Sequence, residues 1–207
     1  MEKIIYILIL IMLENNFYKD IKEANTTNYD FIVNKNYRLE ENYRPNDLEE
    51  INLNYSCKDK YLRKIAKNNF EKMAYDAKLE GFNIIAVSAY RSYNYQKKLY
   101  NNYVKDKGYY YADMASARAG HSEHQTGLAV DIADLSLDYD NFESTKEFNW
   151  VKEHAHKYGF IMRYPKAMFH ITGFKYEPWH YRYVGIEAAT YIYKNNITLE
   201  EYKKITR

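Results

Sequence analysis

The chain has 207 residues and a formal net charge of +2, with no lysine- or arginine-rich patch. That near balance argues against a nucleic-acid binder, whose phosphate contacts need a clustered basic excess. The single cysteine, Cys57, excludes an intramolecular disulfide and a cysteine-rich metal site. In chain order, the first feature is an apolar run over residues 4–13, after Lys3. As a helix it measures about 15 Å, half of a bilayer core of about 30 Å. It therefore reads as the apolar part of an export signal or a short anchor, with Ala24 the nearest candidate for a cleavage site. Residues 1–24 are expected to be leader and linker, and residues 25–207 one domain. Residues 14–30 are polar and turn-rich, and residues 31–33 (Phe-Ile-Val) predict a short strand before an irregular lead-in.

Over residues 58–80, Leu62, Ile65, Ala66, Met73, Ala74 and Ala77 recur at helical spacing, and Gly81 closes the segment. Residues 83–89 form a buried-strand pattern. Ser92 caps a helix running toward Gly108, and a second short helix follows over residues 109–117. From Thr126 to Ala133 the pattern alternates: Leu128, Val130 and Ile132 face one way, Ala129, Asp131 and Ala133 the other. Ser144 and Glu147 have capping-box spacing and open a helix that stops at Gly159. Residues 160–164 and 179–184 predict strands, residues 186–194 a helix, and Thr198 with Glu201 the cap of a last one. Helices interleaved with a few strands give an α+β class with a small, largely antiparallel sheet.

The chemistry concentrates in Ser122-Glu-His-Gln-Thr-Gly-Leu-Ala-Val-Asp131 and Glu177-Pro-Trp-His180. Together they offer two imidazoles, a carboxylate to bind metal and a spare carboxylate, which is the inventory of a hydrolytic zinc site. A straight strand would hold His124 and Asp131 roughly 23 Å apart, so the chain must turn between them, and Gly127 supplies the conformational freedom. Asp131 then emerges among alanines, where there is room for an ion. Pro178 presets a β-turn that brings Glu177 and His180 within about 7 Å. His180 then ligates while Glu177 stands beside the metal as general base. Arg91 lies at a strand-to-helix junction, where its forked guanidinium suits a carboxylate or a polarised carbonyl. Each residue alone also has a bland reading: a loop histidine, a strand-end aspartate, a surface glutamate, a surface ion pair. His121 reads as rim or support for the site; His154 and His156 read as surface or packing, and His170 as a loop residue.

These stretches resemble the VanY-type zinc D-alanyl-D-alanine carboxypeptidases and their L,D-carboxypeptidase relatives. The likeness rests on Ser88-Ala-Tyr-Arg-Ser92, on residues 120–131, on Ile171-Thr-Gly173, and on Glu177-Pro-Trp-His-Tyr-Arg-Tyr-Val-Gly185. Val33-Asn-Lys35 and Tyr43-Arg-Pro-Asn-Asp-Leu48 are similar to that family's lead-in, so the likeness spans residues 30–190. It implies a compact α+β domain with zinc in a surface cleft, held by His124, Asp131 and His180. It implies Glu177 as catalytic base, Arg91 as the group that polarises the scissile carbonyl or holds substrate, and Gln96 and Ser122 as receivers of the terminal D-alanine carboxylate. The implied partner is a peptidoglycan stem peptide, met by an exported monomer at the cell envelope, with peripheral or N-terminal membrane association and no nucleic acid. Residues 166–170 depart from the family pattern and are expected to flank the cleft. L,D specificity on tetrapeptide stems, an endopeptidase of the same chemistry and a non-catalytic wall-peptide binding module remain as alternatives.

Overall fold

The computed structural model describes Tyr18 and residues 20–206. The apolar run at residues 4–13 lies outside them. Among the described residues no helix is long and apolar enough to cross a membrane.

The centre is a four-stranded antiparallel sheet of β5 (Ile85–Ser88), β6 (Ala129–Ala133), β8 (His180–Tyr183) and β7 (Phe160–Met162), in that order. Its strands carry the alternation expected of them. Leu128, Val130 and Ile132 enter the main core with Tyr181 and Tyr183. Against them packs α1 (Lys64–Leu79), which buries Ala66, Phe70, Met73, Ala74 and Ala77. Phe70 meets Phe160 edge to face, with ring centroids 6.2 Å apart. Asp131 and His180 face the opposite way. They are directly paired across β6 and β8, and opposite residues of an antiparallel pair project from the same face. The sheet thus has a packed face and a chemical face.

In α2 (Tyr93–Ala115), Ser92 caps as expected, its Oγ accepting from the Tyr95 amide at 3.2 Å. Gly108, with φ of 82°, breaks this helix into the two pieces the sequence predicts. At the C-terminus, α5 (Ile186–Asn195) and α6 (Leu199–Ile205) follow, the latter opened by the expected reciprocal Thr198–Glu201 capping box. A second apolar cluster of Ile161, Val184, Ala188, Ala189, Ile192 and Leu199 seats them.

Four expectations are corrected. Residues 31–33 form no strand: Phe31 and Val33 are buried, but the Phe31 carbonyl accepts from the Arg182 guanidinium instead of a neighbouring strand. The helix expected from residue 58 begins at Lys64. Before it, β3 (Leu48–Glu50) and β4 (Tyr61–Arg63) form an antiparallel pair, and Cys57 lies in an extended stretch bonded to β5 through the Ala86 carbonyl. The cap of α3 (Lys146–His154) is Thr145, whose side chain accepts from the Phe148 amide. Ser144 belongs to the preceding 3-10 turn, and Glu147 instead accepts from the Asn83 amide. Finally, the linker joins the domain early, because β1 (Lys22–Glu23) pairs in parallel with β2 (Tyr37–Arg38).

Candidate metal centre and active site

The expected turn after His124 is present. Residues Glu123–Thr126 make a 3-10 turn, and Gly127 ends it in the left-handed region at φ of 67°. A Cβ there would stand 2.8 Å from Leu48 Cδ2 and 3.0 Å from Arg63 Cγ. The reversal carries His124 back over the end of β6, so that its Nε2 lies 3.2 Å from Asp131 Oδ2. Its Nδ1 meets the Ala89 carbonyl at 2.7 Å, a contact that places the ring proton on Nδ1 and leaves Nε2 as the free donor atom.

The second expected turn is also present. The His180 amide donates to the Glu177 carbonyl at 3.2 Å, closing the Glu177-Pro178-Trp179-His180 turn, and the Glu177 amide donates to Tyr164 O at 3.1 Å. His180 Nδ1 then meets Asp131 Oδ1 at 2.9 Å, and its ring lies against Tyr164. Among the described residues, His124, Asp131 and His180 form a group able to hold a metal, their donor atoms within 4.8 Å of one another.

The donor set passes a direct test of fit. Two imidazoles and a carboxylate are a common catalytic zinc set. His124 Nε2 is buried with no hydrogen-bond partner among the described residues, and a buried polar atom without a partner calls for an ion or ligand. The Asp131 carboxylate stands 2.9 Å from His180 Nδ1 through Oδ1 and 3.2 Å from His124 Nε2 through Oδ2, close to the donor separation of about 3.3 Å that tetrahedral bonds of about 2 Å would give.

Burial sets the protons. Burial, reinforced by Arg91, pushes His124 down to about 4. For His180 burial acts in the same direction but is overcome by hydrogen bonds to Asp131 and Glu123, which raise it to about 9. Burial likewise opposes charge on Asp131, yet the two histidines hold it well below the usual carboxylate range. For Glu177 burial prevails over the attraction of His180 and pushes it up to about 7.

All seven residues singled out from sequence, including Arg91, Gln96 and Ser122, line one cleft of about 210 Å3. Arg91 places Nη2 3.7 Å from Asp131 Oδ2, and its Nε is buried without a partner among the described residues. Gln96 reaches the cleft wall, but its Nε2 donates to Ser116 Oγ at 3.1 Å and to Ala117 O at 2.7 Å. Both amide hydrogens are thereby used, and the Ser116 hydroxyl is left to donate. Residues 166–170 do not themselves line the cleft, although Tyr164, Phe174 and Lys175 on either side of them do. Phe169 and His170 instead border a separate cavity with Lys35, Tyr110 and Met114, because the chain folds into the short helix α4 (Phe169–Thr172). His121 is buried against the Asn34 carbonyl, His154 stacks on Trp150 and His156 on Tyr193.

Sequence reasoning missed Glu123, although it stands beside His124. Its carboxylate accepts from Arg163 Nε and Arg182 Nη1, both at 2.8 Å, and faces His180 Nε2 at 3.4 Å. The available signal was a pair of arginines inside apolar strand patterns, since a buried charge requires a partner. Ser116 was missed for want of any local signal.

Comparison with known proteins identifies the family. The sequence profile of the VanY family, D-alanyl-D-alanine carboxypeptidase, matches residues 59–186. The protein YodJ of Bacillus subtilis (strain 168) is 45% identical over 204 residues, spanning 92% of this chain and 75% of YodJ. The solved structure of the LdcB LD-carboxypeptidase is similar at 47% identity and a TM-score of 0.78, covering 83% of this chain and 84% of that one. A variant of the vancomycin resistance D,D-pentapeptidase VanY, in complex with Zn(II), is similar at 34% identity and a TM-score of 0.72, covering 84% and 98%. On the evidence of that profile and these relatives, the chain belongs to the VanY family of D-alanyl-D-alanine carboxypeptidases.

Proposed function

We propose that this protein is a zinc carboxypeptidase that removes the C-terminal D-alanine from peptidoglycan stem peptides, working as an exported enzyme at the cell envelope. The observation that carries the reading is the orphaned His124 Nε2 facing Asp131 and His180, with Glu177 on the same cleft wall. Zinc held by His124, Asp131 and His180 supplies a Lewis acid that brings the pKa of water toward 7 and polarises the scissile carbonyl.

The chain's own groups account for the rest. Glu177, pushed up to about 7 by burial, is poised to take a proton from the attacking water and return it to the departing amine. Hydroxide adds to the amide carbon, the C–N bond breaks, and the proton ends on the amino group of free D-alanine. Arg91 offers its guanidinium to the oxyanion that develops on the carbonyl. The terminal carboxylate is received near Ser122 and Gln96. Because the Gln96 amide hydrogens are already donated, the protons that meet the carboxylate come from the hydroxyls of Ser122 and of Ser116, which Gln96 orients.

Two substrates fit this chemistry: a pentapeptide ending in D-Ala-D-Ala, and a tetrapeptide cut at its L,D bond. The identity to the LdcB LD-carboxypeptidase, 47% against 34% for the D,D-pentapeptidase VanY, favours the tetrapeptide. Mass spectrometry of purified penta- and tetrapeptide stems after incubation, with and without a chelator, tests both. Loss of one alanine from the tetrapeptide, stopped by the chelator, is the expected result. Binding of either peptide without chelator-sensitive cleavage would make this a recognition module.

A further inference from the structure

Glu123 and His124 are consecutive but serve opposite sides of the site. His124 turns toward Asp131, whereas the Glu123 side chain turns down into the protein, where it is fully buried. Its two oxygens have different tasks. Oε1 accepts from both Arg163 Nε and Arg182 Nη1 at 2.8 Å. Oε2 faces His180 Nε2 at 3.4 Å. Arg163 extends the line, donating from Nη1 and Nη2 to Glu200 at 2.8 and 2.6 Å. Glu200 lies on α6, so a continuous chain of charged groups runs from the C-terminal helix to His180.

We infer that Glu123 is a positioning residue for the metal centre: its Oε2 keeps a proton on His180 Nε2, so that the proton His180 gives up to the ion comes from Nδ1 and the Nδ1 lone pair faces the metal. A neutral imidazole has one N–H, and the hydrogen bond made by one nitrogen decides the role of the other. Asp131 Oδ1, 2.9 Å from Nδ1, competes for the proton on the wrong nitrogen. Glu123 is the acceptor on the correct one. Two guanidiniums fix its Oε1, so the carboxylate cannot swing and Oε2 keeps its aim. A role as mere counter-ion to the arginines would account for Oε1 and leave Oε2 without a purpose.

This inference rests on the zinc assignment proposed above. Glu123→Gln separates the two roles. It preserves volume, and its carbonyl oxygen still serves both arginines. Its amide NH2 would then oppose the His180 Nε2–H, donor against donor. The ring proton would move to Nδ1, the atom the metal needs. Glu123→Asp keeps the charge balance but retracts the carboxylate by one methylene, and it is the variant to read if the glutamine form does not fold.

The test uses the full chain, metal-stripped, with Zn(II) affinity measured by competition with a chelator and Co(II) loading followed by its visible spectrum. Folded Glu123→Gln should bind Zn(II) about 10- to 100-fold more weakly and give a changed Co(II) band, and Glu123→Asp should err in the same direction. Unchanged affinity and spectrum in a folded variant would overturn the inference. A wild-type protein that takes up neither ion would instead overturn the zinc assignment itself, and the inference with it.

Discussion

His124 and His180 share one site but hold their protons differently. In the metal-free protein at neutral pH, His124 is uncharged, having been pushed down to about 4 by burial and Arg91. His180 is charged, raised to about 9 by Asp131 and Glu123 against the effect of burial. Metal must therefore displace a proton from His180 at any pH below 9. Apparent zinc affinity should climb by about tenfold per pH unit from pH 7 and level off near pH 9. Chelator competition across a pH series checks this; a flat profile would mean His180 holds no proton to displace. Glu177 should be separable from binding. Glu177→Gln is expected to lower D-alanine release by about 10^2- to 10^4-fold with metal content unchanged, measured by turnover and metal analysis on the same sample. His124, Asp131, Glu177 and His180 were legible because Gly127 and Pro178 advertise the turns that gather them. Glu123 was not legible, because its role depends on Arg163, Arg182 and Glu200, which arrive from distant segments.

At the scale of elements, caps and turns decide where the site residues stand. Thr145, and not Ser144, holds the first turn of α3. Thr145→Ala should cost about 1 kcal/mol and Ser144→Ala almost nothing, a contrast that thermal unfolding of the two variants would resolve. Gly127→Ala should cost more than the roughly 1–2 kcal/mol of a left-handed L-residue, because the new methyl also meets Leu48 and Arg63. Since that turn carries His124, zinc affinity should fall together with the unfolding temperature. A variant with wild-type values of both would remove the turn from its role. Helix termini with a polar capping side chain were readable to within a residue, as at Ser92 and Thr198. The start of α1 was not, because Leu62 continues the helical spacing of the residues after it while sitting in a strand. Periodicity alone cannot place such a junction.

For the whole molecule, the decisive fact is the division of the sheet into two faces. One face is committed to α1 and the core; the other carries Asp131 and His180 as direct neighbours, with the 3-10 turn of His124 bent over its end. The α+β class follows from composition and pattern, but the order β5-β6-β8-β7 does not. β6 and β8 are brought together by pairing between residues far apart in sequence, which no local signal encodes. Their pairing makes the site and the fold interdependent, so zinc should stabilise the folded chain. At a free concentration of about 100 times Kd the gain is about 2.7 kcal/mol, visible as a lower unfolding temperature after chelation and absent in His124→Ala. The proposed zinc ion among His124, Asp131 and His180, beside Glu177, is open to anomalous diffraction at the zinc edge of a zinc-loaded crystal. A single peak bounded by His124 Nε2, the Asp131 carboxylate and His180 Nδ1 is the predicted result. A zinc-loaded crystal with its peak elsewhere, or with none, would contradict it.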